Sequence, residues 1–180
     1  KACCLSTSGK IRCILELILT SKGAEICILA GDFNDIFEGF DNMIFPSDKV
    51  QIKGFKEIRR VQEINNQVSW KKSKVIWLDM QDQLPEEFRN SNIPTPEEFR
   101  IWSIRQGLPI FNGDINSYQS PFHIGLYDLI DTNKGCYLGQ ESVARYLRSG
   151  VNKKLRFWES ENIIKKGDKL TQYSTNGLKD

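Results

Sequence analysis

Apolar residues recur at two different periods along this chain, and each change of period marks an element. Residues 2–5 and 11–19 read as two strands joined at Ser8-Gly9. In the second strand Ile14, Glu16, Ile18 and Thr20 alternate with Leu15, Leu17 and Leu19, so at least one face is strongly apolar. Lys22-Gly23 turns the chain into a third strand over 25–29. Gly31 ends that strand, and Asp32 offers an N-cap to a helix. Its Phe33, Ile36, Phe37, Phe40, Met43 and Ile44 form one stripe, and Pro46 stops it. Alternation returns at 50–53, a fourth strand. Further strands are expected at 57–64 and 74–78, separated by the Asn65-Asn66 turn and a short segment over 67–70. Strand, strand, strand, helix, strand predicts an α+β fold in which antiparallel sheets are covered by helices on one side.

The second half is more helical. Residues 85–93 are a polar linker or short helix, and Pro94-Thr95-Pro96 introduces a helix that carries Phe99, Ile101, Trp102, Ile104 and Arg105 and ends near Gly107. Residues 111–121 are loop-like and 124–130 short and apolar. Gly139 caps a helix that ends at Gly150, in which Glu141 and Arg145 stand four residues apart, the spacing of an ion pair. Strand character resumes at 154–158 and again after the turn at 165–168.

With 180 residues, 39% of them hydrophobic and 27% charged, the chain can bury a real core. The net charge of +2 is unevenly spread. Lys134, Arg145, Arg148, Lys153, Lys154 and Arg156 face only Glu141, a local balance of +5. Asp79, Asp82, Glu86, Glu87, Glu97 and Glu98 outweigh Arg89 and Arg100, a balance of −4. The basic stretch, with Tyr146 interleaved, suits either solvated surface or the phosphates of RNA. Five cysteines without a Cys-x-x-Cys pair argue against a disulfide framework and against a four-cysteine zinc site, and they fit a reducing compartment such as the cytoplasm. No apolar run approaches the ~20 residues of a membrane span. Cys3 and Cys4 are neighbours in a strand and must point to opposite faces.

The octapeptide Lys134-Gly135-Cys136-Tyr137-Leu138-Gly139-Gln140-Glu141 is the stretch that ordinary packing explains least. It sets Cys136 beside Lys134 and just before a helix N-terminus. An ammonium and a helix dipole both favour thiolate, the reactive form of cysteine. Gly135 and Gly139 are expected to serve positive φ angles or a close approach. His123, the sole histidine, has no acid–base partner nearby in sequence and reads as structural.

The octapeptide resembles the signature of the YgfZ family, folate-binding relatives of the glycine-cleavage T-protein. The likeness continues through Val143-Ala144-Arg145 and residues 150–155, and upstream through the Gly9-Lys10 turn and Arg105-Gln106-Gly107-Leu108-Pro109 with Gly113-Asp114-Ile115. This resemblance implies a T-protein/YgfZ-like folate-binding region over 1–155, lacking its N-terminal portion, and the beginning of a truncated C-terminal β-barrel over 156–180. It implies a folate-binding accessory protein in iron–sulfur cluster assembly or repair, with tetrahydrofolate or a derivative as cofactor. Iron–sulfur enzymes or assembly proteins would be its partners, with an indirect link to tRNA modification and none to membranes. Cys136 and Lys134 would carry the chemistry, and Gly135, Gly139, Gln140, Glu141 and Arg145 would shape the binding site. No resident metal is implied.

A folate site needs a flat apolar wall and a carboxylate for the pterin donors. Trp102, Tyr118 and Phe111 are the candidate walls, and Asp114 or Glu98 the candidate acids. The alternative is a tetrahydrofolate-dependent one-carbon transferase of the aminomethyltransferase type. Against it, Arg105 stands where those enzymes typically carry a glutamate, and 5–10 supply no catalytic aspartate.

Overall fold

A computed structural model describes residues 1–64, 67–110, 115, 119–152 and 154. The first three strands appear where the alternation places them: β1 (Ala2–Leu5), β2 (Ile11–Thr20) and β3 (Gly23–Ala30). They form one antiparallel sheet in the order β1-β2-β3, with irregularities after Cys4 and between Ile14 and Leu15. Helix α1 (Phe33–Asp41) follows, and Asp32 caps it by accepting the Asp35 N–H at 2.9 Å. Strands β4 (Ile58–Gln62) and β5 (Val75–Asp79) pair with each other as a separate two-stranded sheet. The short α2 (Glu86–Arg89) is followed by α3 (Pro96–Arg105) and α4 (Gln140–Ser149). The fold is α+β with antiparallel sheets.

The three-stranded sheet is covered on both faces, which corrects the expectation of helices on one side. Cys13 and Leu15 on one face meet Ile36 and Phe40 of α1. Leu5, Ile11 and Ile14 on the other meet Trp70, Trp102 of α3, Leu126, Leu129 and Val143 of α4. This second cluster is the main core. Each fully buried aliphatic side chain in it contributes about 1.5–3 kcal/mol relative to exposure. The periodicity of β2 gave two apolar rows without showing that both have cover.

That cover stops at Glu16. Leu17 and Ile18 are each 46% exposed and Leu19 is 79% exposed, so the apolar row predicted along the whole strand is buried only over its first half. Residues 50–53 form no strand: Val50 is exposed and no ladder partner lies beside it among the described residues. Four alternating residues do not make a strand when nothing supplies the second half of each hydrogen bond. Residues 124–130 hold a single 3-10 turn, Tyr127–Leu129. The expected strands after residue 154 and the barrel over 156–180 lie outside the described residues.

Candidate functional site

Three short pieces of backbone build the site. Leu5 hands the chain to a tight turn over 6–10, closed by the Ser6 N–H donating to Lys10 O at 2.8 Å and the Gly9 N–H donating to Ser6 O at 2.9 Å. The Ser6 hydroxyl also accepts the Lys10 N–H at 3.2 Å. On the other side, residues 137–140 turn into α4, with the Gln140 N–H donating to Tyr137 O at 3.2 Å. The two turns meet glycine to glycine. A methyl on Gly139 would lie 2.6 Å from Ser6 O and 2.7 Å from Gly9 Cα, and one on Gly9 would lie 2.7 Å from Ser142 Cβ. Gly139 (φ 79°) and Gly9 (φ 72°) both adopt the left-handed conformation.

Between the turns lies an open cleft of about 290 Å³ lined by Thr7, Tyr137, Leu138, Gly139, Gln140 and Glu141. It gathers Gly139, Gln140 and Glu141 of the octapeptide. Thr7 and Tyr137 were not singled out. Thr7 belongs to the Gly-Lys turn, but nothing local shows that this turn lands on α4. Tyr137 stands inside the octapeptide, between Cys136 and Gly139, and that position is the signal the sequence carries for it.

Cys136 is exposed, one residue before the first lining residue of the octapeptide. The Lys134 ammonium lies over the Tyr137 ring, 4.9 Å from its centroid. This cation–π contact holds Lys134 at Tyr137, a wall of the cleft. Burial and the nearby Asp131 raise the Tyr137 hydroxyl above its ordinary value, keeping the ring neutral beneath the ammonium.

Other residues named from the sequence stand away from the cleft or are held by other contacts. Gly135 needs no glycine: a methyl there would meet nothing within 4 Å, and its φ is not in the left-handed region. Trp102 is 7% exposed, packs in the main core and stacks on Phe99 at 5.8 Å, so it cannot wall the cleft. Glu98 accepts the Thr95 N–H and hydroxyl at 2.8 and 2.9 Å as a capping-box partner of α3. Arg145 makes no ion pair with Glu141. Its guanidinium lies over Tyr146, 5.6 Å from the ring centroid, and Lys10 Nζ reaches the Tyr146 hydroxyl at 3.4 Å. Asp114, Tyr118 and Phe111 lie outside the described residues.

His123 packs edge-on against Tyr146 and takes the Ser120 N–H on Nδ1 at 3.2 Å. Burial and the Lys10 charge lower its pKa, so it is held as a neutral structural imidazole. Among the described residues, no group of three or more His, Cys, Asp or Glu is placed to hold a metal. No helix among them is long and apolar enough to cross a membrane.

No family model and no solved structure matches this chain. A curated protein does: the chain is 31% identical over 99 residues to the tRNA-modifying protein YgfZ of Colwellia psychrerythraea, a match covering 42% of this chain. The chain spans 31% of that relative's length, and over this part it is similar to YgfZ.

Proposed function

We propose that this protein is a folate-binding accessory factor for the assembly or repair of iron–sulfur enzymes, including those that modify tRNA, and that it acts through Cys136. The observation that carries this reading is an exposed thiol one residue before Tyr137, which lines a cleft built by the octapeptide and the 6–10 turn. About 290 Å³ lies at the lower end of small-molecule sites. That volume suits the bicyclic head of a folate, with the remainder in solvent. Tyr137 and Leu138 offer the flat and apolar surface, and the Glu141 carboxylate offers two acceptors for the pterin's adjacent N–H donors. Tetrahydrofolate, when bound, supplies a reduced pterin able to carry a one-carbon unit.

Cys136 would act as a single sulfur ligand toward the cluster of a client. Clusters ordinarily take four protein ligands, so one thiol can only share a cluster with a partner. Lys134, parked on Tyr137, would place positive charge near the anionic cluster. The similarity to a tRNA-modifying YgfZ supports the link to tRNA enzymes.

The test separates the cleft from the thiol. Tetrahydrofolate titrated into the full chain, followed by intrinsic tryptophan fluorescence, should bind wild type and Cys136→Ala within about twofold. Glu141→Gln should bind roughly tenfold more weakly, the loss of about 1.4 kcal/mol from one charge-assisted contact. In cells lacking their own factor of this kind, wild type should restore the activity of iron–sulfur enzymes, and Cys136→Ala should not. Full restoration by Cys136→Ala, with folate binding intact, would leave a binding module without thiol chemistry and end this reading.

A further inference from the structure

The three-stranded sheet places Cys4 of β1 directly opposite Cys13 of β2. Opposed residues of an antiparallel pair have Cα atoms roughly 4.5–5.5 Å apart, within the span of a disulfide. Both side chains stand on the face under α1, packed with Leu15, Ile28, Ile36 and Phe40. Cys13 is fully buried and Cys4 half-buried.

This placement divides the pair into two unlike sulfurs. The neighbouring Cys13 thiol lowers the pKa of the Cys4 thiol, with further help from Arg12 and Lys134, against burial and Asp35. Cys4 in turn, together with burial, pushes the Cys13 thiol up. The half-buried Cys4 sulfur is the one a small disulfide can reach, whereas Cys13 is closed off beneath α1. Cys3 is a different case: it points to the other face, packs against the main core, and is pushed up to about 12 by burial and Asp128.

We propose that Cys4 and Cys13 form a redox-active dithiol, in which Cys4 is the modification site for small disulfides of the glutathione class and Cys13 is the resolving thiol. The Cys4 thiolate attacks one sulfur of the small disulfide, forming a mixed disulfide and expelling one small thiolate. That thiolate takes up a proton. Cys13 then gives its proton to solvent and its sulfur attacks Cys4 Sγ, expelling the second small thiolate. Two protein thiols are oxidised and one small disulfide is reduced to two thiols. Attack by the more accessible thiol as its thiolate, followed by closure on the cysteine directly opposite, is the sequence that thiol exchange favours.

The pair sits at the base of the 6–10 turn, which carries Thr7 to the cleft and Gly9 onto Gly139. A bond between β1 and β2 there closes a covalent ring around that turn and ties the shape of one cleft wall to the thiol state of the sheet. The proposal holds whether or not the cleft binds folate.

The test uses the full reduced chain and oxidised glutathione at mildly alkaline pH, followed by thiol blocking, trypsin and tandem mass spectrometry. Peptide 2–10 should be joined to peptide 13–22 with loss of two hydrogens, with fragmentation placing the bond at Cys4 and dithiothreitol reversing it. Cys13→Ala should stop at the mixed disulfide on Cys4. Cys4→Ser should yield neither product and leave Cys136 as the main glutathionylated residue. If Cys13→Ala fails to fold, wild type and Cys4→Ser decide the matter, since Cys4 is only half-buried. A chain modified at Cys136 but unlinked between Cys4 and Cys13 overturns the proposal. So does a bond made by Cys3 or Cys136 in place of this pair.

Discussion

Replacing Glu16 with Gln is expected to lower folding stability by about 3 kcal/mol, read as a shift in the midpoint of urea unfolding. Glu16 is 5% exposed. Its carboxylate accepts Nε and Nη2 of Arg60 at 2.9 and 2.8 Å and the indole N–H of Trp77 at 3.1 Å, with Lys1 Nζ at 3.3 Å. Arg60 and Trp77 stand opposite each other on β4 and β5, so a single side chain from β2 joins the two sheets. Glutamine keeps the shape but strands a guanidinium that is itself only 20% exposed and turns an amide N–H₂ toward donors. The pair Glu16→Leu with Arg60→Met should recover more than half of the loss, because neither charge is then buried. A cost under about 1 kcal/mol for Glu16→Gln would mean that apolar packing alone holds the sheets together.

The same carboxyl gives a pH signature with a definite sign. Burial pushes its pKa up, but the hydrogen bonds and charge of Arg60, the Trp77 N–H and the Lys1 ammonium outweigh burial and hold it below the ordinary range. A carboxyl depressed in the folded state contributes stability that is complete above its unfolded value of about 4.3 and is lost as pH falls through the folded value. The stability curves of wild type and Glu16→Gln should therefore stand apart at neutral pH and converge in acid.

What the sequence disclosed and what it hid divide along the distance between interacting residues. The three strands, the Asp32 cap and the ends of α4 at Gly139 and Gly150 rest on neighbours within a few positions, and all of them appear. The cover of both faces of β2 depends on α1 and α4, more than a hundred residues apart, and no periodicity encodes it. Trp102 shows the same limit at a candidate site: an aromatic on a helix looks identical whether it walls a ligand or fills a core. Arg145 shows a rarer one, since correct i,i+4 spacing to Glu141 lost to an aromatic face one residue away. The octapeptide was readable because its chemistry is contiguous, whereas Thr7 reaches the cleft only through the meeting of Gly9 with Gly139.

That meeting makes Gly139→Ala the substitution expected to damage the site most. Its φ of 79° costs a non-glycine residue about 1–2 kcal/mol on its own. The added methyl would also stand 2.6 Å from Ser6 O, 2.7 Å from Gly9 Cα and 2.8 Å from Gly9 N. All three are backbone atoms of a hydrogen-bonded turn, so no flexible side chain can yield, and β1's exit must lift away from α4. The total should reach about 3 kcal/mol of stability. Ligand binding in the cleft should fall further than the unfolded fraction accounts for, because Thr7 moves with the turn. Gly135→Ala is the internal comparison. Its methyl meets nothing, so stability should change by less than about 0.5 kcal/mol and the cleft should keep its ligand. Equal losses at the two glycines would mean that flexibility of the octapeptide, not the approach of the 6–10 turn, is what the site requires.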